Sequence, residues 1–254
     1  MSVSERPVAL VTGGAKRIGA AVTADLANHG FSVAVHARMI NDAEAHAADI
    51  EKAGGTVKPF SANLADPASV AGLMAAVRDR LGPVSLLVNN ASIFEDDSVT
   101  DFDWTTWERH FALHLKAPAL LSRLMAKDLA ADADGLIVNV IDQRVERLNP
   151  RFFSYTLSKS ALWTATQTMA QALAPRIRVN AIGPGPTLRN ARQSEADFAA
   201  QIGGLPLKRG PALAEFGATI RWMWETPSLT GQIVHLDGGQ HLAWETPDIA
   251  GIPE

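Results

Sequence analysis

The chain has a single tyrosine, Tyr155, and Lys159 stands four residues after it. On a helix that spacing lays both side chains on one face. Asp142, thirteen residues before the tyrosine, closes the apolar run LIVNVI. A phenol, an ammonium and a carboxylate are groups that general acid–base chemistry uses, so this stretch is the first candidate for a reactive centre. The second is TGGAKRIG, Thr12 to Gly19, directly after one apolar run and at the head of an amphipathic segment. Glycines there let the backbone approach a dinucleotide pyrophosphate, and a helix N-terminus adds positive potential. Gly13, Lys16, Arg17, Ile18 and Gly19 are therefore candidate cofactor contacts, and the two cations exceed what a structural turn needs.

The end of the next apolar run selects between cofactors. An NAD site ordinarily places an acid there to bond the ribose hydroxyls. This chain has His36-Ala37-Arg38 and no acid. Arg38 suits a 2′-phosphate through charge-assisted hydrogen bonds, so NADP(H) is expected.

The elements that must position these residues follow from periodicity. Short apolar runs (PVALVT, FSVAVHA, TVKPF, PVSLLVNN, GLIVNVI, RIRVNAI, QIVHLD) alternate with longer amphipathic segments. Near-continuous apolar strands imply burial on both faces, hence a parallel sheet covered by helices. The expectation is an α/β doubly wound (Rossmann) fold of about seven strands, in a single domain over 1–254. Gly30 should end the first helix, Asn41 or Asp42 should cap the second, and Asp66-Pro67 should open the third. One long helix is expected within DWTTWERHFALHLKAPALLSRLMAKDL. The irregular stretch GPGPTLRNARQSEADFAAQIGGLPLKRGP suggests a substrate loop around 185–210.

Composition removes several function classes. Hydrophobic residues make up 47% and charged residues 20% of the 254, as in soluble globular proteins. A net charge of −4 gives no reason to expect nucleic-acid binding. With no cysteine, disulfides, thiolate metal sites and cysteine nucleophiles are excluded. The N-terminal apolar run is too short for a signal segment and no stretch reaches membrane-spanning length, so a cytoplasmic protein is expected.

Taken together, the TG…G turn, Asn89-Asn90-Ala91, Tyr155-x-x-x-Lys159, Asn180…Pro184-Gly185 and Leu236-Asp237-Gly238-Gly239 resemble the short-chain dehydrogenase/reductase family over nearly the whole chain. The resemblance implies that Tyr155 is the proton donor. It implies that Lys159 bonds the nicotinamide ribose and favours the tyrosinate. It adds Asn63, Leu64, Asn90, Ala91, Ser92, Pro184 and Gly185 to the expected NADP(H) contacts, beside His36, Arg38, Tyr155 and Lys159. A homo-oligomer, tetramer or dimer, is implied as well.

Three departures from the family pattern point one way. Arg17 replaces a glycine, Asp142 replaces the serine thirteen residues before the tyrosine, and Phe94 follows the Asn-Ala-Ser stretch. This combination looks like the pteridine reductase and dihydromonapterin reductase branch, in which the arginine contacts phosphates and pterin and the aromatic stacks on the pterin. Arg17, Phe94, Asp142 and Tyr155 are thus the expected substrate contacts. A serine hydroxyl can donate to a developing alkoxide; an ionised carboxylate cannot, and suits N–H groups or a ring imine that gains a proton. A protonated Asp142 would still donate. The expected function is NADPH-dependent reduction of a pterin C=N. Reduction of a 3-oxoacyl thioester or ketone, and a non-catalytic NADP(H) sensor, are the alternatives.

Other positions read as less decisive. His114 stands where the family has an asparagine, and Asn63 where it has an aspartate. His110 and His114, four apart, lack a third ligand, so no metal is expected. Trp163 reads as core, and Arg144, Arg147 and Arg151 as a solvated run, one of which could reach the substrate mouth. Phe94 fits ligand stacking and packing equally well.

Overall fold

A computed structural model of the chain describes residues 6–190, 192–246 and 250–251. The ends of the expected 1–254 domain lie outside these residues, as does Ala191 of the irregular stretch. β-Branched and leucine-rich runs form β1 (Val8–Val11), β2 (Ser32–Ala37), β3 (Val57–Ser61), β4 (Val84–Asn89), β5 (Gly135–Val140), β6 (Ile177–Pro184) and β7 (Ile233–Leu236). They pair in parallel in the order β3-β2-β1-β4-β5-β6-β7. The connecting helices are α1 (Arg17–Asn28), α2 (Ile40–Lys52), α3 (Pro67–Leu81), α4 (Trp104–Phe111), α5 (Ala117–Asp128), α6 (Phe153–Leu173), α7 (Glu195–Gly203) and α8 (Leu213–Glu225). No helix among the described residues is long and apolar enough to cross a membrane.

Strand side chains alternate between two apolar layers, which is why a continuous apolar run is needed. Leu136 and Val138 of β5 pack with Val22 of α1, Ala43 of α2 and Phe216 of α8. Ile137, between them, packs with Val70 of α3, Leu121 of α5 and Ala170 of α6. Winding reverses between β1 and β4, and at such a switch point a doubly wound sheet opens a crevice beyond its strand ends.

Three local expectations need correction. The cap of α2 is Met39, with no side-chain bond, rather than Asn41 or Asp42. The irregular stretch holds α7, whose start is fixed by a capping box between Ser194 and Asp197. The expected long helix is α4 and α5 joined by five residues of π geometry, Ala112–Lys116. Pro118 lacks an N–H in the first turn of α5, and wide turns of this kind concentrate at functional sites.

One buried side chain fastens the switch point. Thr12 Oγ1 accepts from the N–H groups of Asn90 and Ala91 at 3.0 and 3.1 Å and donates to Val88 O at 3.2 Å. Asn90 Nδ2 returns bonds to the carbonyls of Thr12 and Gly13. Thr12→Val keeps the shape, and Val88 O and Asn90 N–H keep their bond to each other, but the Ala91 N–H loses its partner. It should cost about 1–3 kcal/mol, the range for one unsatisfied buried group. A urea unfolding midpoint equal to wild type would show that the hub does not carry that load.

Candidate active site

The crevice beyond β1, β4, β5 and β6 is a cavity of about 720 Å³. Its wall includes Gly13, Lys16, Arg17, Ile18, Gly19, Arg38, Asn90, Ala91, Ser92, Phe94, Asp142, Tyr155, Lys159, Pro184 and Gly185. Of the residues singled out in the sequence, His36, Asn63 and Leu64 do not line it. His36 is buried beneath the glycine turn. Its Nδ1 accepts from Gly13 N at 3.2 Å and its Nε2–H donates to Ala62 O at 3.1 Å. Burial holds its pKa below the usual histidine value, opposed by the bond to Ala62, so the ring is neutral in that one tautomer. Asn63 turns its amide oxygen onto Ala65 N at 3.2 Å.

The glycine turn is shaped for a phosphate group. A Cβ on Gly19 would lie 2.2 Å from Gly13 O and 2.5 Å from Asn90 Nδ2, so only glycine lets β1, β4 and α1 meet this closely. Arg17, where the family pattern has glycine, takes φ +54°. Its guanidinium spans the cleft to Leu188 O at 2.9 Å and Arg189 O at 3.1 Å. Lys16 pairs with Asp42 at 2.8 Å. Arg38 is exposed and makes no ion pair among the described residues. These features fit a dinucleotide with a 2′-phosphate: a backbone cradle, a helix N-terminus and an uncommitted guanidinium.

The reactive groups meet at the C-terminal end of β5. Tyr155 Oη donates to Asp142 Oδ2 at 2.9 Å. Lys159, one turn along α6, is 2% exposed and donates to Val140 O at 2.8 Å. Asp142 also accepts from the main-chain N and Nη1 of Arg144 at 2.9–3.2 Å. Both carboxylate oxygens thus accept from donors on Tyr155 and Arg144. Arg144 is therefore not part of a solvated run; it is 19% exposed, pairs with Asp142 and lies over the Phe94 ring. Arg151 does stay at the surface, paired with Asp96.

Burial pushes the Tyr155 phenol well above its ordinary value, and the Asp142 charge adds to this while Arg144 opposes it. The implied lowering of this pKa by Lys159 is thus outweighed, and the phenol keeps its proton. Burial also lowers Lys159, to about 8, against the opposing pull of Asp142.

Two histidines reinforce the other side of Tyr155. His114 Nε2 accepts from Ile93 N at 3.3 Å and lies 3.0 Å from Ser92 Oγ. Its Nδ1–H therefore donates to Ser158 Oγ at 2.8 Å, and that hydroxyl donates to Tyr155 O at 2.7 Å. Burial, then Lys159 and His110, hold His114 well below the usual histidine value. His110 Nδ1 lies 2.7 Å from Ser154 Oγ, whose hydroxyl donates to Asp97. Both rings are thus committed to serines of α6.

Phe94 stacks on Phe152, with centroids 4.1 Å apart and planes at 15°, and meets Tyr155 edge-on at 4.7 Å. Phe94 lines the cavity and Phe152 does not, so one ring backs the other. Arg192 reaches from the loop to Phe94 O at 2.9 Å. Neither Phe152 nor Arg192 was singled out in the sequence, because neither carries a motif signal. Trp163 packs in a small apolar cluster with Ile141 and Leu162.

Comparison with known proteins agrees with this geometry. The short chain dehydrogenase profile matches residues 7–199. A crystal structure of FolM alternative dihydrofolate reductase 1 from Brucella canis, complexed with NADP, is 57% identical. It superposes with a TM-score of 0.93, covering 97% of this chain and 98% of that one. The Brucella suis protein of that name, also in complex with NADP, is 59% identical with a TM-score of 0.93, covering 98% and 100%. A 3-oxoacyl-[acyl-carrier-protein] reductase from Synechocystis is 30% identical, over 94% of this chain and 98% of its own.

The Lys159 ammonium keeps its charge below about pH 8 and sheds it above. NADPH-dependent turnover should therefore fall as pH rises, with an apparent pKa near 8, while the phenol remains protonated throughout. A pH–rate profile flat across that range would mean that this charge is not used.

Proposed function

The chain belongs to the short-chain dehydrogenase family, and we propose that within it the protein is a pterin reductase acting on the C=N bond of a dihydropteridine or dihydrofolate. Its cofactor is NADP(H). The observation that carries the substrate reading is Asp142, an accepting carboxylate bonded to Tyr155 where the family pattern has a hydroxyl. The NADP-bound Brucella relatives, named alternative dihydrofolate reductases, support the same reading.

The glycine turn, Lys16, Arg17 and Arg38 would hold the phosphates, and Asn90, Lys159, Pro184 and Gly185 the nicotinamide half. When bound, the reduced nicotinamide supplies a hydride. Tyr155 delivers the proton to the ring nitrogen. The phenolate left behind would adjoin the Asp142 carboxylate, and the flanking charges of Lys159 and Arg144 offset that repulsion. Asp142 can accept from a ring N–H, Phe94 offers a flat apolar face, and the loop bridged by Arg17 and Arg192 limits water. A homo-oligomer, tetramer or dimer, in the cytoplasm is the setting that the family resemblance supports.

Tyr155→Phe should lower turnover by about 10²–10⁴-fold while NADPH still binds, because only the proton donor is lost. Near wild-type turnover in that variant would refute the assignment.

Asp142→Ser should depress dihydropterin reduction by roughly one to two decades, matching about 1.5–3 kcal/mol for a hydrogen bond to a charged group. NADPH affinity should hardly change, and any ketone reduction should hold or rise. Steady-state kinetics with dihydrofolate, a dihydropterin and a 3-oxoacyl thioester decide it. Intact pterin turnover in Asp142→Ser, or a wild-type preference for the thioester, overturns the pterin reading.

A further inference from the structure

The turn after β5 leaves two buried polar atoms unpaired. Gln143 is 4% exposed, and its side-chain Oε1 has no hydrogen-bond partner among the described residues. On the next residue, Arg144, Nε is buried and unpaired as well, while Nη1 is committed to Asp142. Both residues line the cavity that holds Asp142, Tyr155 and Lys159. An amide oxygen shut away from water without a donor is costly, and such atoms are rare in folded proteins.

The fold makes no use of this amide. Gln143 O accepts from Glu146 N at 3.1 Å and from Arg147 N at 3.2 Å, and Asp142 Oδ1 accepts from Arg144 N at 2.9 Å. The turn is therefore shaped without the Gln143 side chain. A methionine here would fill similar space and bury no polar atom. The oxygen is thus a local cost, carried one residue from the carboxylate that accepts from Tyr155. A polar group that weakens the free protein and lines a ligand cavity is a group held ready for the ligand.

We propose that Gln143 is a specificity-determining residue of this site, whose Oε1 accepts a hydrogen bond from a ring N–H of the bound substrate. The inference rests on the pterin reading and deepens it. A dihydropterin presents several N–H groups. The Asp142 oxygens can accept from one of them but are already bonded to Tyr155 and Arg144, whereas the Gln143 oxygen has no other task. Its neutrality matters too. A second carboxylate beside Asp142 would raise the cost of the phenolate that proton delivery leaves behind. A site that hydrogen-bonds a substrate N–H rejects analogues without one, because the acceptor then stays unpaired. Gln143 thereby favours a nitrogen heterocycle over a simple ketone.

The test compares wild type with Gln143→Met and, against a packing fault peculiar to methionine, Gln143→Leu. Thermal unfolding of the free protein should hold its midpoint or rise, because the unpaired oxygen is gone. The KM for a dihydropterin at saturating NADPH should increase about tenfold or more, and by a larger factor than kcat falls. NADPH affinity, from fluorescence titration, should change far less than that KM. A lower midpoint in both variants would assign the amide to the fold, and NADPH affinity lost in step with KM would assign it to the cofactor; either overturns the proposal. An unchanged dihydropterin KM overturns it as well, leaving solvent as the partner. The two readings separate in the wild type. Dihydropterin turnover there upholds pterin reduction whatever the variants do, and its absence removes both.

Discussion

A lysine ammonium with one carbonyl for a partner, 2% exposed, is the constraint around which the catalytic end of this sheet is organised. Burial disfavours the charge on such a group and lowers its pKa to about 8. The nearby Asp142 charge works against it, and burial together with the same charge keeps the Tyr155 phenol neutral. Arg144 then completes an alternation of cation, phenol, anion and cation. Each member is costly in isolation, and together they compensate one another. Such an alternation requires a rigid frame. Asn89 donates to Asn139 at 2.8 Å and Asn139 to Thr166 at 2.8 Å, locking β4, β5 and α6 in one buried ladder.

The histidines extend that frame to the substrate wall. A family-typical asparagine at position 114 would be shorter than the imidazole found there. The ring spans from Ser158 beneath Tyr155 to the main chain of Ile93, next to Phe94. Because Ile93 N–H occupies Nε2, the tautomer is fixed by the network rather than by solvent. Helix α6, the π turn and the aromatic wall are thereby joined by one chain of hydrogen bonds. The neutral state forced by burial means that this linkage does not switch near neutral pH.

Much of this was legible from residue types. Seven apolar runs gave seven strands because each must face two helical layers. The Tyr155, Lys159 and Asp142 spacing brings the three together because a strand end and a helix face are the two simplest geometries a chain can impose. What stayed hidden depends on contacts between segments. Arg144 reads as one of three similar arginines, and only the turn after β5 swings it onto Asp142. His36 reads as a cofactor contact because it sits at the right strand end, yet its ring is spent holding Gly13 and Ala62 together. Helix α7 had a local signal in Ser194 and Asp197, masked by the surrounding glycines and prolines.

Backbone strain shows where the fold gives way to the site. Among the described residues three non-glycine positions have positive φ, and two of them, Arg17 at +54° and Phe152 at +57°, flank the cleft. Left-handed backbone costs an L-residue about 1–2 kcal/mol. At Arg17 a glycine would remove that cost, but it would also remove the guanidinium that joins the glycine turn to Leu188 and Arg189. Phe152 precedes the first turn of α6, and its conformation lays the ring flat behind Phe94. One strained residue thus holds the loop side of the cleft and the other its aromatic side. Relaxing either would favour the chain locally and release a wall of the site, so the strain sits where positional accuracy matters more than local stability.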